Sequence, residues 1–291
     1  NDAERQQPSP KEKEKILNNN IFGLDIDNRA VQLSCLSLIL NARKYDKKIF
    51  NKKVSLNIFP IIESNSISQN AIEYLKNNIM DEELKEIIDY IIGLYKNSKE
   101  YGSILKVKSF EYEKIKDVIN KLDTKTKNIF EYSYYEELKG KFLPLINQSI
   151  ILSSKYNFMV TNPPYRGIRE VDDLLAEYLK KEYPNSKYDL YSVFLQREYE
   201  MLDEDGYGAI IMPNTWLTIG SYGNFRKDFL KNNKIETFFD FGPGVFGTDV
   251  GSIVKFISVI FKKTDKYEKY DVNYVNYKNS GFKNKIYKFD I

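Results

Sequence analysis

Short apolar runs alternate with longer stretches of helical periodicity along this chain of 291 residues. Apolar runs of strand length lie at 21–24, 53–62, 158–161, 207–212, 235–241 and 253–261. Apolar residues recur at helical spacing in the stretches 29–45, 70–96, 110–148, 190–202 and 222–232. Strands that alternate with helices in this order predict an α/β fold built on an open sheet, with a predicted turn at Asp205-Gly206.

The spacing of these elements also predicts how the chain is organised. Residues 1–15 are polar and charged, and we expect a disordered or loose lead-in there. The stretch 70–148 is mostly helical and too long for an ordinary connection between two strands, so we interpret it as a helical insertion. On either side of it, 16–69 and 149–263 form the two parts of one α/β domain, and 264–291 begins a further region.

The amino-acid composition excludes several classes of protein but does not indicate a function. Apolar residues make up 42% of the chain, and a net charge of +3 neither requires nor excludes a nucleic-acid partner. The single cysteine, Cys35, excludes a disulfide framework or a thiolate metal site, and its apolar helical setting predicts burial. No apolar stretch has membrane-spanning length and no signal peptide is recognisable, so we expect a cytoplasmic protein without a membrane partner.

The tetrapeptide Asn162-Pro163-Pro164-Tyr165 carries the clearest chemical signal in the chain. It follows the apolar run 158–161, which we interpret as the end of a buried strand. Two prolines stop a strand there, because proline has no N–H to donate to a neighbouring strand. Polar residues at the carboxyl end of a strand are where open α/β sheets place their chemistry.

This tetrapeptide suits the activation of an exocyclic amine on a nucleobase, whose lone pair is delocalised into the ring. The Asn162 side-chain oxygen and the Pro163 carbonyl can accept both amine hydrogens, which aims the lone pair at an electrophile, while Tyr165 can stack on the ring. The chain contains no histidine, which excludes most mechanisms that pair histidine with serine or cysteine. The alternative is a strand-ending loop in which the prolines are purely structural.

A second polar signal, Asp25-Ile26-Asp27, ends the apolar run 21–24 and precedes a helical stretch. In nucleotide-binding folds, a carboxylate at this position binds ribose hydroxyls. The simpler alternative is a helix-capping acid, with Asp27 or Asn28 as the N-cap residue. On these residues alone the capping interpretation is favoured.

The segment 242–247 reads G-P-G-V-F-G and fits the glycine pattern of a dinucleotide-binding loop. Such a loop precedes a helix, whereas 253–261 is rich in β-branched residues and predicts a strand. A cofactor loop here would also need a ribose-binding acid downstream, but Asp25 lies upstream. We therefore do not assign the cofactor site to this segment.

Taken together in this order, several segments resemble one known family. FGLDID, VTNPPY, DLYSVFLQREYEMLDEDGYGAIIMPNTWL and FFDFGPGVFGTDVGSIVKFISVIFKK are similar to DNA adenine methyltransferases that use S-adenosylmethionine. The chain looks like the large adenine methyltransferases of BREX phage-defence systems and their restriction-linked relatives, and YGSILKV is also similar to that subgroup. The resemblance covers about residues 16–263 and implies a Rossmann-like methyltransferase sheet with a helical insertion.

The resemblance also assigns roles to residues. For the cofactor it implies Asp25, Ile26, Asp27, Asp189 and Leu190, and for catalysis Asn162, Pro163, Pro164 and Tyr165. In this assignment Asp25 holds the ribose, Ile26 lies against the cofactor adenine, Asp27 caps the next helix, and Asp189 and Leu190 start a helix near the cofactor. An adenine flipped out of duplex DNA would stack on Phe246 or Tyr165. The alternative for Phe246 is a structural anchor of its loop.

The chain departs from this family at two points. Nothing before Ile21 resembles the glycine-rich loop that approaches the methionine part of the cofactor. Where the family carries a target-recognition region, only 264–291 follows the last predicted strand. We therefore expect a sheet that is incomplete at its N-terminal end, in a fragment with weak cofactor binding and no turnover of its own. Glu63 and Asn97 are alternatives for the residue that contacts the adenine amine of the cofactor.

Two other functions are alternatives. Glutamine methyltransferases of release factors share NPPY, so a glutamine or RNA methyltransferase is one, although the helical insertion and the Phe246 loop favour DNA. A non-catalytic DNA-binding module of a defence complex is the other, and the intact NPPY and LDID segments argue against it. Whether other subunits of a defence system are required stays open.

Overall fold

The computed structural model describes residues 9–52, 54–122, 128–242, 254–264, 270–276 and 283–289. The chain divides into two units, 1–153 and 154–291, and both combine helices with strands, so the predicted α/β class is confirmed. The predicted insertion 70–148 stays a prediction, because the first unit contains it together with the preceding residues. Within the described residues, no helix has the length and apolar character needed to cross a bilayer.

The first unit contains a two-stranded parallel sheet and a series of helices. Strand β1 (Phe22–Asp25) pairs with β2 (Asn57–Pro60), and Asp25 lies opposite Pro60. The α-helices are α1 (Pro10–Asn19), α2 (Asn28–Arg43), α3 (Gln69–Asn77), α4 (Glu82–Leu94), α5 (Ser98–Tyr101), α6 (Tyr112–Leu122), α7 (Ile129–Glu137) and α8 (Leu143–Ser153). Shorter 3₁₀ turns lie at Ile49–Asn51, Tyr95–Asn97 and Gly102–Ile104, and a π-helical turn, Leu138–Phe142, joins α7 to α8.

Helix α1 begins inside the region expected to be loose. The Ser9 hydroxyl accepts the Glu12 N–H at 3.3 Å, and the Glu12 carboxylate accepts the Ser9 N–H at 2.6 Å, which forms a capping box. Pro10 occupies the first helical position, where its missing N–H costs no hydrogen bond. Residues 10–15 are therefore helical, and the expectation of a loose segment there is wrong.

The predicted helix 70–96 consists of two helices, α3 and α4. Asp81 starts the second one, since its carboxylate accepts the Glu83 N–H at 3.0 Å. The apolar faces of both helices are buried, as Leu75, Ile88 and Ile91 show. The apolar periodicity is thus confirmed, while the continuity of the helix is not.

Helix α2 has the predicted position but not the predicted burial. The Asp27 carboxylate accepts the Arg29 N–H at 2.8 Å and caps α2, so the predicted cap is confirmed. Leu33 and neighbouring leucines of the same face are exposed, and Cys35 is only partly buried. The prediction of a buried Cys35 is therefore wrong, because periodicity identifies an apolar face without specifying what covers it.

The second unit is built on a six-stranded mixed sheet with the order β3-β4-β6-β5-β7-β8. Its strands are β3 (Tyr156–Thr161), β4 (Leu202–Pro213), β5 (Asn233–Gly242), β6 (Phe256–Lys263), β7 (Tyr270–Asn276) and β8 (Lys283–Phe289). The pairs β3–β4 and β5–β7 are parallel, and the other neighbours are antiparallel. The helices are α9 (Asp173–Glu182), α10 (Leu190–Met201) and α11 (Gly223–Asn232), with 3₁₀ turns at Asn214–Leu217 and Gly220–Tyr222.

The core of the second unit lies on the face of the sheet that α10 and α11 cover. Leu195 of α10 and Phe229 of α11 pack there with Trp216, against Ile210 and Val259 of the central strands. Burial of these large apolar side chains supplies the main favourable contribution to folding of this unit.

Strand β3 has the predicted position, but its predicted burial is wrong. Phe158 is 75% exposed and Val160 is 84% exposed. Side chains alternate between the faces of a strand, and Met159 packs against the core while Phe158 and Val160 point the other way. Among the described strands, β3 also lies at the edge of its sheet rather than inside it.

Strand β4 runs through the dipeptide that was expected to form a turn. Asp205 has a φ of 62°, and the pairing with β3 shifts register between Tyr156 and Phe158. The irregularity forms a kink within the hydrogen-bonded pairing of β4 with β3. The predicted turn at Asp205-Gly206 is therefore a kink inside a longer strand.

Candidate active site

The NPPY tetrapeptide, residues 162–165, leaves the sheet at the carboxyl end of β3. The last paired residue is Thr161, and the prediction that the prolines end the strand is confirmed. Pro163 is buried, whereas Asn162 and Pro164 are exposed. The Asn162 side chain is therefore accessible at the edge where parallel strands end.

Tyr165 links the tetrapeptide to the sheet. Its hydroxyl donates to Asn162 Oδ1 at 2.6 Å and also lies 3.2 Å from the Ile211 carbonyl oxygen of β4. Its ring packs on the buried Phe256 of β6, with 5.2 Å between ring centroids. Burial raises the pKa of Tyr165 to about 12, so the hydroxyl is protonated at neutral pH. Stacking of this ring on a target base stays a prediction.

The chain that follows the tetrapeptide is fastened to the start of α10. The Leu190 N–H donates to the Arg166 carbonyl, and the Ile168 N–H donates to the Tyr188 carbonyl, each at 3.0 Å. We call this pair of backbone hydrogen bonds the loop clip. It places Asp189 and Leu190 next to the residues that follow NPPY.

Asp189 has a clear structural role in this arrangement. Its carboxylate accepts the Tyr191 N–H at 3.2 Å and caps α10. Burial raises the pKa of Asp189, and the nearby negative charge of Glu170 raises it further. Leu190 is buried. A contact of Asp189 or Leu190 with a cofactor stays a prediction.

The Asp25-Ile26-Asp27 segment lies at the carboxyl end of β1 in the first unit. Asp25 Oδ1 accepts the Asp27 N–H at 2.8 Å, while the side chain of Asp27 itself caps α2. The hydrogen bond that the Asp27 carboxylate accepts from the Arg29 side chain lowers the pKa of Asp27. Asp25 is exposed, and Ile26 is 60% exposed. An open carboxylate beside an open apolar side chain fits a ribose next to a planar base.

Two further segments meet at this end of the first unit. The Ile61 N–H donates to the Asp25 carbonyl at 2.8 Å, and the Ser98 hydroxyl donates to the Ile62 carbonyl at 2.6 Å. The segments after β2 and before α5 therefore lie together near Asp25. They contain the two candidates for the adenine amine contact, Glu63 and Asn97.

Gly102 is not among the predicted site residues, yet it lies against Ile26. Its φ is 59°, and a Cβ on Gly102 would lie 3.3 Å from Ile26 Cγ2. Glycine permits both this backbone conformation and the close approach. The sequence feature that could have identified Gly102 is its position in YGSILKV, a segment that resembles the methyltransferases but to which no role was assigned.

A comparison with family models decides which family the chain represents. The model described as Eco57I restriction-modification methylase matches residues 19–246, a span that includes both the Asp25 segment and NPPY. The chain belongs to the Eco57I restriction-modification methylase family. The resemblance to restriction-linked and BREX adenine methyltransferases is thereby confirmed.

This Eco57I-family chain is similar to two curated adenine-specific methyltransferases. It is 29% identical over 266 residues to BrxX of Escherichia coli O9:H4 (strain HS), covering 85% of this chain and 22% of BrxX. It is 28% identical over 223 residues to PglX of Lacticaseibacillus casei (strain Zhang), covering 74% of this chain and 18% of PglX. The chain thus spans about a fifth of the length of these relatives.

Solved structures also resemble this Eco57I-family chain at low sequence identity. A nuclease-deletion mutant of the Type ISP restriction-modification enzyme LlaGI, in complex with a DNA substrate mimic, matches with a TM-score of 0.48 and 12% identity over 93% of this chain and 19% of LlaGI. A putative class I S-adenosylmethionine-dependent methyltransferase from Listeria monocytogenes matches with a TM-score of 0.34 and 14% identity over 92% of both chains.

Phe246, the predicted stacking residue, lies outside the described residues. Gly242, which begins the G-x-G-x-x-G segment, has a φ of 71° at the end of β5, and its N–H donates to Asp240 Oδ1 at 2.9 Å. The next described element is the antiparallel strand β6, as the sequence pattern of 253–261 predicts. The stacking role of Phe246 therefore stays a prediction.

The second unit also contains a cavity of about 550 Å³ between α11, the turn Asn214–Leu217 and strands β5 to β7. Its walls are mainly apolar and include Trp216 and Phe238, and its polar lining residues include Arg226, Asp240 and Tyr274. Among the described lining residues, none belongs to NPPY. The methyl-transfer chemistry is therefore not assigned to this cavity.

Proposed function

We propose that this chain is the catalytic part of a DNA adenine methyltransferase in a phage-defence or restriction-modification system. The proposed reaction moves a methyl group from S-adenosylmethionine to the 6-amino group of adenine in duplex DNA. The observation that carries the proposal is the exposed Asn162 at the carboxyl end of β3, with its Oδ1 held by Tyr165. Membership of the Eco57I family and the two adenine-specific relatives support it.

The amine chemistry follows from the acceptors that the tetrapeptide presents. Asn162 Oδ1 and the Pro163 carbonyl would each accept one amine hydrogen, which localises the lone pair on nitrogen and aims it. The amine nitrogen would form a bond to the methyl carbon as the bond between that carbon and the sulfonium sulfur breaks, the sulfur would keep the electron pair in the neutral thioether S-adenosylhomocysteine, and one amine proton would leave for solvent. Positioning rather than prior removal of a proton therefore lowers the barrier.

The residues at the end of β1 fit the proposed cofactor. S-adenosylmethionine, when bound, supplies an electrophilic methyl group on a sulfonium sulfur. Asp25 would hold the ribose hydroxyls, because it is exposed and only its Oδ1 accepts the Asp27 N–H. Ile26 would cover the adenine ring, and Glu63 or Asn97 would contact the adenine amine.

The target base must leave the duplex, because its amine is enclosed by the stacked bases. We propose that the flipped adenine stacks on Phe246 or Tyr165, with each stacking contact worth about 1–3 kcal/mol. The Tyr165 ring is half-buried, with its contact to Phe256 on the side of the sheet. We also propose that other subunits of a defence system are partners of this protein.

The test is Asn162→Ala in the intact protein that carries this sequence. We expect transfer of labelled methyl groups to adenine in duplex DNA to fall by at least about 100-fold, because an acceptor for the amine is lost. Calorimetry should show affinity for S-adenosylmethionine unchanged within about twofold, because Asn162 is not among the proposed cofactor contacts.

Asn157→Ala is the matched control, since Asn157 is an exposed asparagine on β3, the strand that precedes Asn162. It should retain the wild-type rate. An Asn162→Ala variant with a near-wild-type rate would overturn the proposal. If the intact protein methylated glutamine in a protein, or RNA, but not DNA, the alternative function of a glutamine or RNA methyltransferase would replace the proposal.

A further inference from the structure

Asn162 is exposed, yet one neighbour already holds its side-chain oxygen. The Tyr165 hydroxyl donates to Asn162 Oδ1 at 2.6 Å, and no other described residue donates to this oxygen. We infer that Tyr165 is a positioning residue whose hydroxyl selects the orientation of the Asn162 carboxamide. The inference rests on the proposed function, in which Asn162 accepts a hydrogen from the target amine.

A carboxamide has two ends of similar shape and opposite hydrogen-bonding character. Half a turn about its last bond exchanges the oxygen, which accepts, with the NH₂ group, which donates. A hydroxyl that donates is satisfied by the oxygen end alone, so the contact with Tyr165 selects one of the two orientations. The oxygen has two lone pairs. One is used by Tyr165, and the other remains for the amine.

The sheet in turn holds the hydroxyl of Tyr165 in place. Its ring packs on Phe256 of β6 and against the core. The Ile211 carbonyl of β4 lies 3.2 Å from the hydroxyl oxygen, so the single proton of the hydroxyl is donated to the closer acceptor, Asn162 Oδ1. Burial raises the pKa of Tyr165 to about 12, so the donated proton is present across the working pH range. The orientation of an exposed side chain is therefore set by a ring that is anchored on the sheet, which is more rigid than a loop.

Tyr165→Phe in the intact protein separates the hydroxyl from the ring. Phenylalanine keeps the packing on Phe256 and any stacking on a base, but it removes the donor. We expect kcat to fall about tenfold, as for the loss of one functional hydrogen bond. The KM for S-adenosylmethionine and the Kd for duplex DNA should change less than about twofold, because neither contact uses the hydroxyl.

Tyr199→Phe is the matched control. It removes a tyrosine hydroxyl of the same unit that donates to Asp228, away from the tetrapeptide. This variant should keep the wild-type kcat. A Tyr165→Phe variant with the wild-type kcat would show that only the ring of Tyr165 matters, and it would overturn the inference.

A structural measurement tests the role of Tyr165 independently of the reaction. Neutron crystal structures, which distinguish the oxygen of a carboxamide from its NH₂ group, should show Asn162 of the wild type in one orientation and Asn162 of Tyr165→Phe rotated or in two orientations. If the wild type methylates no DNA, the proposed function fails, while these structures still decide the role of Tyr165. An Asn162 side chain that does not move in Tyr165→Phe would refute the positioning role.

Discussion

At the scale of single residues, Glu198 is a carboxylic acid buried in the core of the second unit, with 2% of its surface exposed. Its Oε1 accepts the Ala209 N–H of β4 at 3.0 Å, while no described residue donates to Oε2. Burial raises the pKa of Glu198 well above its ordinary value, because a charge there would lose its water and gain a single N–H. The fold therefore favours the neutral form of this side chain.

This shift of pKa makes stability depend on pH. The folded state binds the proton more tightly than the unfolded state, so the stabilisation is complete below the unfolded pKa of about 4.3 and is lost as pH rises through the folded pKa. Glu198→Gln keeps the acceptor for Ala209 and carries no charge. We expect its free energy of unfolding, measured in urea, to fall less than that of the wild type between about pH 5 and pH 8.

Glu177→Gln is the control for this prediction, because Glu177 is an exposed glutamate on the neighbouring helix α9. Its pH dependence should match that of the wild type. The explanation is refuted if Glu198→Gln loses stability with pH as steeply as the wild type does.

The sequence identifies residues that a motif marks, and it misses those whose surroundings decide their state. Asn162 and Tyr165 are recognisable because NPPY is an unusual tetrapeptide, and Asp27 because an acid before a helix caps it. Glu198 lies in Gln-Arg-Glu-Tyr-Glu, which is typical of a solvent-facing helix turn. Only the packing of α10 on β4 reveals that this glutamate faces the core.

At the scale of elements, β4 and β6 approach each other where one of them carries glycine. Gly208 lies opposite Phe261, and a Cβ on Gly208 would lie 2.2 Å from a carbon of the Phe261 ring. Phe261 is itself fixed against Phe229 of α11, with ring centroids 5.1 Å apart. The absence of a side chain at position 208 therefore makes room for an aromatic ring of the core.

Gly208→Ala should lower the free energy of unfolding by about 1–3 kcal/mol, the range for overpacking a core. The matched control is Gly220→Ala, since nothing lies within 4 Å of a Cβ built there. That change should stay within about 0.5 kcal/mol. Denaturant unfolding of both variants checks the prediction, and equal stabilities would contradict it.

The type of an element was predictable where the local sequence signals agree. The limits of an element were not predictable where strand pairing or helix capping sets them. The apolar periodicity of 70–96 is continuous, so the helix start at Asp81 is masked by the pattern around it. Asp205-Gly206 is a turn-prone dipeptide, but the register shift between β3 and β4 lets the strand continue through it. A local sequence specifies a bend, and the neighbouring strand decides whether the chain reverses.

At the scale of the whole chain, each unit exposes apolar side chains. In the first unit these are leucines of α2, and in the second they are Phe158 and Val160 of β3. Within the described part of the chain, β3 pairs with β4 and its other edge has no partner strand. An unpaired edge with exposed apolar residues favours pairing between chains.

Val160→Lys is expected to reduce self-association of the chain at high concentration, because a lysine on an edge strand opposes pairing. The free energy of unfolding should change by less than about 0.5 kcal/mol, since the side chain is exposed. Sedimentation velocity over a range of concentrations measures the effect. Ser221→Lys adds the same charge at an exposed site away from β3, and equal association of the two variants would refute the prediction.

The loop clip bears on how this protein can vary during evolution. Residues 169–187, which include α9, run from one clipped segment to the other. Leu179 and Tyr183 of this stretch are buried, so only residues added to the exposed turn before α9 cost no more than the entropy of closing a loop, about 0.6 kcal/mol for each doubling of length. Insertions between the first anchor and α9 can therefore accumulate while Tyr165 and the start of α10 keep their places.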